Sequence, residues 1–445
     1  MHTDAIPLWA IFPFAIYLLL IALMPLVLPH FWESNRNKLI VAAIMATPVL
    51  AYLLGQHPEG AHLLGHAVRE YLGFIALLTA LFVITGGIYL RGSLAGTPIV
   101  NTTLLGAGAL LASLIGTTGA SVLLIRPLLR ANASRQRVRH IVVFFIFIVS
   151  NAAGLLTPLG DPPLYLGFLR GVPFTWTLRL FPVWLLVNGI LLLVFNLIDQ
   201  MVLNREERTR PGAQLEDVQV VKQRLAVEGK INLLWLGGVV ALVASMGAVG
   251  SRWLPDPAHQ AVVQVVILFG LTFASLKTTP PRVHEANAFS WGPIAEVAAI
   301  FVGVFVTMIP ALGYLEAHGG ALGIQRPAQF FWASGLLSSF LDNAPTYLTF
   351  ASLAVGVINE TTGAALTADN LGQLAAHPTG MTLLAAISCG AVLMGAVTYI
   401  GNGPNFMVKA IAEQARVPMP GFFGYMLWSV SVLMPIFVLV TVLIF

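Results

Sequence analysis

Two carboxylates and a set of hydroxyl and amide side chains lie inside apolar stretches of this chain, each beside residues that break helices. Asp161 stands in Asn151-Ala152-Ala153-Gly154-Leu155-Leu156-Thr157-Pro158-Leu159-Gly160-Asp161-Pro162-Pro163, and Asp342 in Ser338-Ser339-Phe340-Leu341-Asp342-Asn343-Ala344-Pro345-Thr346. A carboxylate at bilayer depth costs about 2.5–3.5 kcal/mol on insertion scales and is retained for an ion pathway or a proton relay. Around Asp342, the side chains of Ser338, Ser339, Asn343 and Thr346 supply oxygens, and Pro345 frees carbonyls by withholding a helical donor. A hard cation such as Na⁺ is held by such a set. The glycines and prolines near Asp161 interrupt any continuous helix, so carbonyls between Thr157 and Gly160 lose their partners and become available as ligands. Either Asp would also cap the helix that follows it, and the two roles are compatible.

Half a chain later the Asp161 motif is spelled again without its charge. Thr157-Pro158-Leu159-Gly160-Asp161-Pro162-Pro163 is echoed by Thr398-Tyr399-Ile400-Gly401-Asn402-Gly403-Pro404, with Asn402 in the place of Asp161 and Asn405 close behind. Gly116-Thr117-Thr118-Gly119 likewise interrupts an apolar run as Asp342-Asn343-Ala344-Pro345 does. Paired breaks at corresponding points of two halves are the best pointer in a sequence to a transporter binding site. The expected site comprises Asp342, Asp161, Asn151, Asn343, Thr346, Thr117, Thr118, Ser338, Thr157, Asn402 and Asn405. Asp342, Asp161 and Asn151 are the expected Na⁺ ligands.

The elements that position these groups are membrane helices. Of the residues, 57% are hydrophobic and 9% charged, against about 25% charged in an average soluble domain. Apolar stretches near 20 residues, the length that crosses a bilayer, fall at about 7–28, 38–54, 72–94, 141–169, 174–197, 231–248, 259–276, 293–315, 380–400 and 421–445. The segment at 7–28 is too long for a signal-peptide core and is read as a retained span. Regions 99–133 and 327–356 are read as re-entrant hairpins, because only then do most Lys and Arg fall on one, cytoplasmic, side with both termini outside. Non-helical hairpin tips are tolerated in a bilayer only when buried in protein or facing a watery cavity.

An all-α membrane protein of about ten transmembrane helices and two re-entrant hairpins is therefore expected, as an inverted repeat. Residues 1–200 form the first repeat, with scaffold spans in 1–71 and the first hairpin and broken helix in 72–200. A cytoplasmic linker covers 201–230. Residues 231–445 form the second repeat, with its hairpin at 327–356 and its broken helix at 380–410. The net charge of +4 resides in short loops, which excludes a nucleic-acid partner. One cysteine, Cys389, excludes a disulfide and a cysteine zinc site. No nucleotide-binding Gly-x-x-x-x-Gly-Lys-Ser/Thr loop, His-Glu-x-x-His or Gly-x-Ser-x-Gly is present, so neither an enzyme nor a cofactor is expected. Glu296 and His140 are read as interfacial or solvated groups, and Arg126 as a cytoplasmic anchor.

The two Asp motifs resemble signatures of the ion transporter superfamily, particularly the NhaD-type sodium/proton antiporters and the related arsenite-permease, P-protein and citrate-transporter-like group. The resemblance in layout covers nearly the whole chain. It implies a usually dimeric, inverted-repeat transporter that carries its load by an elevator motion, with residues matching Asn151, Asp161, Asp342 and Thr346 in the ion-binding region. Sodium-coupled dicarboxylate carriers of the superfamily place Ser-Asn-Thr at both hairpin tips, where this chain has Gly-Thr-Thr-Gly and Asp-Asn-Ala-Pro. The expectation is Na⁺(Li⁺)/H⁺ antiport in a bacterial inner membrane, with the lipid bilayer and small inorganic cations as partners. The alternative is Na⁺-coupled transport of a di- or tricarboxylate or another anion.

Overall fold

A computed structural model describes residues 6–92, 94–209, 226–253 and 256–445. It is mostly helical, and among the described residues ten segments are long and apolar enough to cross a membrane. The number agrees with the sequence reading, but the membership differs. One long helix covers Pro98–Ala131 and qualifies as a span, and the helix Ile231–Trp253 is apolar over Ile231–Met246, the part whose side chains are described. The middle of the expected linker, 210–225, lies outside the described residues.

The main helices are α1 (Phe12–Val27), α2 (Asn35–Gly55), α3 (Gly60–Gly86), α4 (Pro98–Ala131), α5 (Arg139–Ile148), α6 (Pro162–Leu169), α7 (Phe181–Thr209), α8 (Ile231–Trp253), α9 (Pro257–Thr278), α10 (Gly292–His318), α11 (Pro327–Ser338), α12 (Asn343–Thr362), α13 (Pro378–Met394), α14 (Gly403–Gln414) and α15 (Phe422–Ile444). Proline opens many of them at the first turn, where its missing N–H costs nothing. Thr97 caps α4 by accepting from the Val100 N–H. One departure from an all-α chain is a short antiparallel ribbon, β1 (Tyr89–Arg91) against β2 (Ala226–Glu228), with Leu90 opposite Val227.

Four interruptions distinguish this bundle from a set of plain spans. α4 breaks at Gly116, whose φ of 80° and ψ of 152° exclude an ordinary L side chain. Between α11 and α12 the chain is non-helical around Asp342 (φ −56°, ψ 138°). After α5 come a 3-10 turn at Ala152–Leu156 and an extended Asp161 (φ −148°, ψ 145°) leading into α6. After α13 come the turn Gly395–Val397 and an extended Asn402 (φ −152°, ψ 137°) leading into α14. Thus the repeated motif folds into the same local shape twice.

Small residues let these pieces approach. A Cβ on Gly390 of α13 would stand 2.4 Å from the Phe331 carbonyl oxygen of α11, and one on Gly335 of α11 would stand 2.2 Å from Met394 Sδ. Such backbone contact is how helices associate in lipid, where no hydrophobic force drives them together. Phe144, Phe147, Phe195 and Tyr425 are fully buried in the core, while Leu193, Leu197, Phe423 and Val442 are exposed. Apolar side chains that face outward along the spans suit lipid rather than water.

Candidate functional site

The four interruptions meet at Asp161. Its side chain is buried, with 1% of the residue exposed, and each donor to it comes from another interruption. Thr117, just past the Gly116 break, donates Oγ1–H to Oδ1 at 2.9 Å. Asn402 donates Nδ2–H to the same oxygen at 3.3 Å, and Asn343, first residue of α12, donates to Oδ2. No Lys, Arg or His hydrogen-bonds to this carboxylate in the described residues. The helices α6, α12, α14 and the second half of α4 all begin beside this carboxyl group, and helix N-termini favour negative charge.

Amides extend the ring outward. Asn402 Nδ2 also lies 3.2 Å from both the Ser150 carbonyl oxygen and Asn151 Oδ1. Asn151 Nδ2 donates to the Ile146 carbonyl at 2.8 Å and to Asn405 Oδ1 at 2.7 Å. Asn405 in turn donates to the carbonyls of Gly395 (2.8 Å) and Thr398 (3.0 Å), so the unwound backbone is satisfied by side chains, as burial requires. Thr157 donates to the Ser113 carbonyl and accepts from the Leu159 N–H at 3.2 Å; Thr398 does the same with the Ser339 carbonyl and the Ile400 N–H, also at 3.2 Å. One acceptor stands apart. Asn343 Oδ1 is buried with no partner.

Asp342, the other carboxylate of the expected site, makes no hydrogen bond within the cluster around Asp161 among the described residues. It is only partly buried, and its Oδ1 accepts from the Ala344 N–H at 3.0 Å as the cap of α12. Thr346 hydrogen-bonds its backbone carbonyl at 2.9 Å. The residue that reaches Asp161 is its neighbour Asn343. Ser338 Oγ donates to the Ala391 carbonyl at 2.6 Å, tying α11 to α13. The Thr118 side chain makes no hydrogen bond among the described residues and lines a small pocket, about 70 Å³, that reaches Thr117 and Asp161 between Leu78, Phe82 and Ile294.

Residues 3–445 match the model of a family described as "Putative citrate transport". The chain belongs to that family. It is also similar to an uncharacterized transporter of Synechocystis sp., with 25% identity over 318 residues, 67% of each chain. Uncharacterized transporters of Mycobacterium bovis and Mycobacterium tuberculosis are each 23% identical over 332 residues, 73% of this chain and 72% of theirs. With that family and ten apolar helices among the described residues, the chain is a multi-pass membrane transporter and not an enzyme.

This transporter also holds charged groups that sequence reasoning passed over or, for His140 and Glu296, placed at the interface. Asp199 in α7, fully buried, accepts from Asn101 Nδ2 (2.9 Å) and contacts Arg135 Nη2 (2.6 Å) and His140 Nε2 (2.8 Å). His140 is therefore buried in an ion network, not solvated. Glu70 forms a two-pronged pair with Arg170, Nε to Oε1 at 2.7 Å and Nη2 to Oε2 at 2.8 Å. Arg170 also donates to the Ala368 carbonyl at 3.1 Å. Lys38 pairs with Glu296 at 2.7 Å. The available signal was simple: Glu70 and Asp199 are acids in or beside apolar runs, and an acid there needs a partner.

Proposed function

We propose that this transporter exchanges a proton for Na⁺ or Li⁺ at Asp161. The observation that carries this reading is a fully buried carboxylate held only by neutral donors, Thr117, Asn343 and Asn402, beside the unpartnered Asn343 Oδ1. A buried carboxylate without a cationic side chain is neutralised by whatever small positive species reaches it. A proton and a small cation then compete for one site, which couples their movement without any further device. Asn343 Oδ1, Thr118 Oγ1 and, after rotation of the amides, Asn402 supply the oxygens a hard cation requires. A pocket of about 70 Å³ admits an ion with a little water and is far below the 300–1,000 Å³, roughly, of ordinary small-molecule sites.

In this reading the two halves are an inverted repeat, the regions broken at Gly116 and Asp342 are re-entrant hairpins, and a dimer in a bacterial inner membrane works by an elevator motion with both termini in the periplasm. The recurrence of the Thr157 hydrogen bonds at Thr398 supports the repeat. A second reading, Na⁺-coupled transport of a di- or tricarboxylate, is favoured by the family description. There Asp161 would hold the coupling ion, and the anion would bind elsewhere.

Everted vesicles carrying a pH-sensitive dye distinguish the two. Addition of Na⁺ or Li⁺ is expected to collapse an imposed ΔpH, without citrate or succinate. Accumulation of labelled citrate that depends on Na⁺, with no ΔpH response in its absence, would replace the first reading by the second.

A further inference from the structure

The two helices that start at Asp161 and carry its donors, the second half of α4 and α14, lie against each other and end at the same place. Arg126 lies nine residues beyond Thr117 and Arg416 fourteen beyond Asn402, which at about 1.5 Å per helical residue is roughly 13 to 20 Å from the ion site. Between these ends is a cavity of about 630 Å³, lined by Arg126, Arg130, Arg135 and Arg416 together with Gln136 and Gln414.

The charges in its wall are unbalanced. Arg135 is engaged by Asp199. Arg130 donates to the Leu90 carbonyl at 2.7 Å and stacks on Tyr89, contacts that leave its charge uncompensated. The guanidiniums of Arg126 and Arg416 make no hydrogen bond or ion pair among the described residues, and no carboxylate lines the cavity there. Helix C-termini attract basic residues, and the cytoplasmic side of membrane proteins is rich in them. Glu206 meets the cavity wall only through the Gln136 backbone N–H, and neither tendency by itself accounts for three guanidiniums around one open cavity with no carboxylate in its lining. Guanidiniums at such spacing recognise carboxylate and phosphate oxygens through paired N–H donors.

We propose that this cavity binds a multivalent oxyanion, carboxylate or phosphate, free in solution or as a lipid headgroup. It is distinct from the site at Asp161 and stands whether or not that site exchanges Na⁺ for protons. Its volume lies within the range of ordinary small-molecule pockets, nine times that of the pocket at Asp161.

The test uses the purified full chain in uncharged detergent at constant ionic strength. Citrate, succinate and inorganic phosphate are titrated by calorimetry, with chloride as the control, into the wild type, R126Q, R416N and R416K. Arg416 has a φ of 63°, a backbone conformation that Asn tolerates well, so R416N removes charge without strain. R126Q and R416N are each expected to weaken binding about tenfold, the loss of one charge-assisted contact, while R416K, which keeps the charge but not the paired donors, weakens it less than R416N. Native mass spectrometry from phosphatidylcholine discs with or without phosphatidylglycerol gives the lipid arm. If soluble anions are silent but the wild type alone retains phosphatidylglycerol, the oxyanion is a headgroup. No binding above chloride in both arms, or variants that bind as the wild type does, would overturn the proposal. The Na⁺-dependent ΔpH response of the same variants reads the Asp161 site separately.

Discussion

Asn402 Nδ2 stands 3.2 Å from Asn151 Oδ1 and 3.3 Å from Asp161 Oδ1. One amide thus joins two residues of the first half of the chain from a position 251 residues beyond the first of them. This places an amide of one repeated motif directly on the carboxylate of the other, and the functional predictions follow from that closure.

Asp161→Asn is expected to abolish the Na⁺-dependent ΔpH response, with the folded protein retained because an amide still fills the space. Asp342→Asn is expected to keep the response, since Asn is as good a cap as Asp. Parallel dye assays on the two variants decide between them. A silent Asp342→Asn with an active Asp161→Asn would move the ion site to Asp342.

Asn343→Ala removes both the donor to Asp161 Oδ2 and the unpartnered Oδ1. A hydrogen bond to a charged group is worth about 1.5–3 kcal/mol, so half-saturating Na⁺ should rise by roughly ten- to a hundredfold. Thr346→Val, which loses only a bond to the Asp342 backbone, should shift it far less. Equal shifts in the two variants would argue against a direct role for Asn343.

Arg135→Ala leaves Asp199 and His140 buried beside an unfilled charge position. Removing one partner of a buried pair costs about 3–5 kcal/mol, and thermal unfolding in detergent should show a loss of this order. Restoring neutrality with Arg135→Gln and Asp199→Asn together should recover part of it. If the single variant melts with the wild type, the network contributes little to stability.

Gly390→Val inserts a side chain where even a Cβ meets the Phe331 carbonyl oxygen and Ser334 Oγ at 2.4 Å. Overpacking of this kind costs about 1–3 kcal/mol or more. Because α11 leads into Asn343, separation of α11 from α13 should also weaken Na⁺ exchange. Gly403→Ala, with open space around its Cβ position, is the control expected to match the wild type in both melting and exchange.

The helical spans and their interruptions were legible from local chemistry. Gly116, the Pro158 to Pro163 run and the Gly401 to Pro404 run are helix breakers in apolar surroundings, and each marks a place where the helix stops. Apolar length located the spans well, but did not decide whether an interrupted stretch reads as one segment. Pro98–Ala131 passes through its break at Gly116 as one apolar segment. Among the eleven expected site residues, Asp161, Thr117, Asn343, Asn402, Asn151 and Asn405 come together in one bonded cluster. Thr157 and Ser338 brace the nearby backbone, and Asp342 and Thr346 form the cap of α12.

Sequence by itself determined that this chain lies in a membrane, that its helices stop at four polar interruptions, and that two of those share one local shape. These properties are sums over neighbouring residues: apolar length, missing donors at proline, and freedom at glycine. Tertiary structure alone decided that Asp161, not Asp342, is the common centre. Asp342 satisfies itself two residues away at Ala344, whereas Asp161 depends on donors 44, 182 and 241 positions distant. The same held for Asp199 with His140 and for Glu70 with Arg170, whose partners are 59 and 100 positions away. A buried charge must find its donors wherever packing brings them, and packing is set by the close approach of whole helices rather than by any residue's neighbours in the chain.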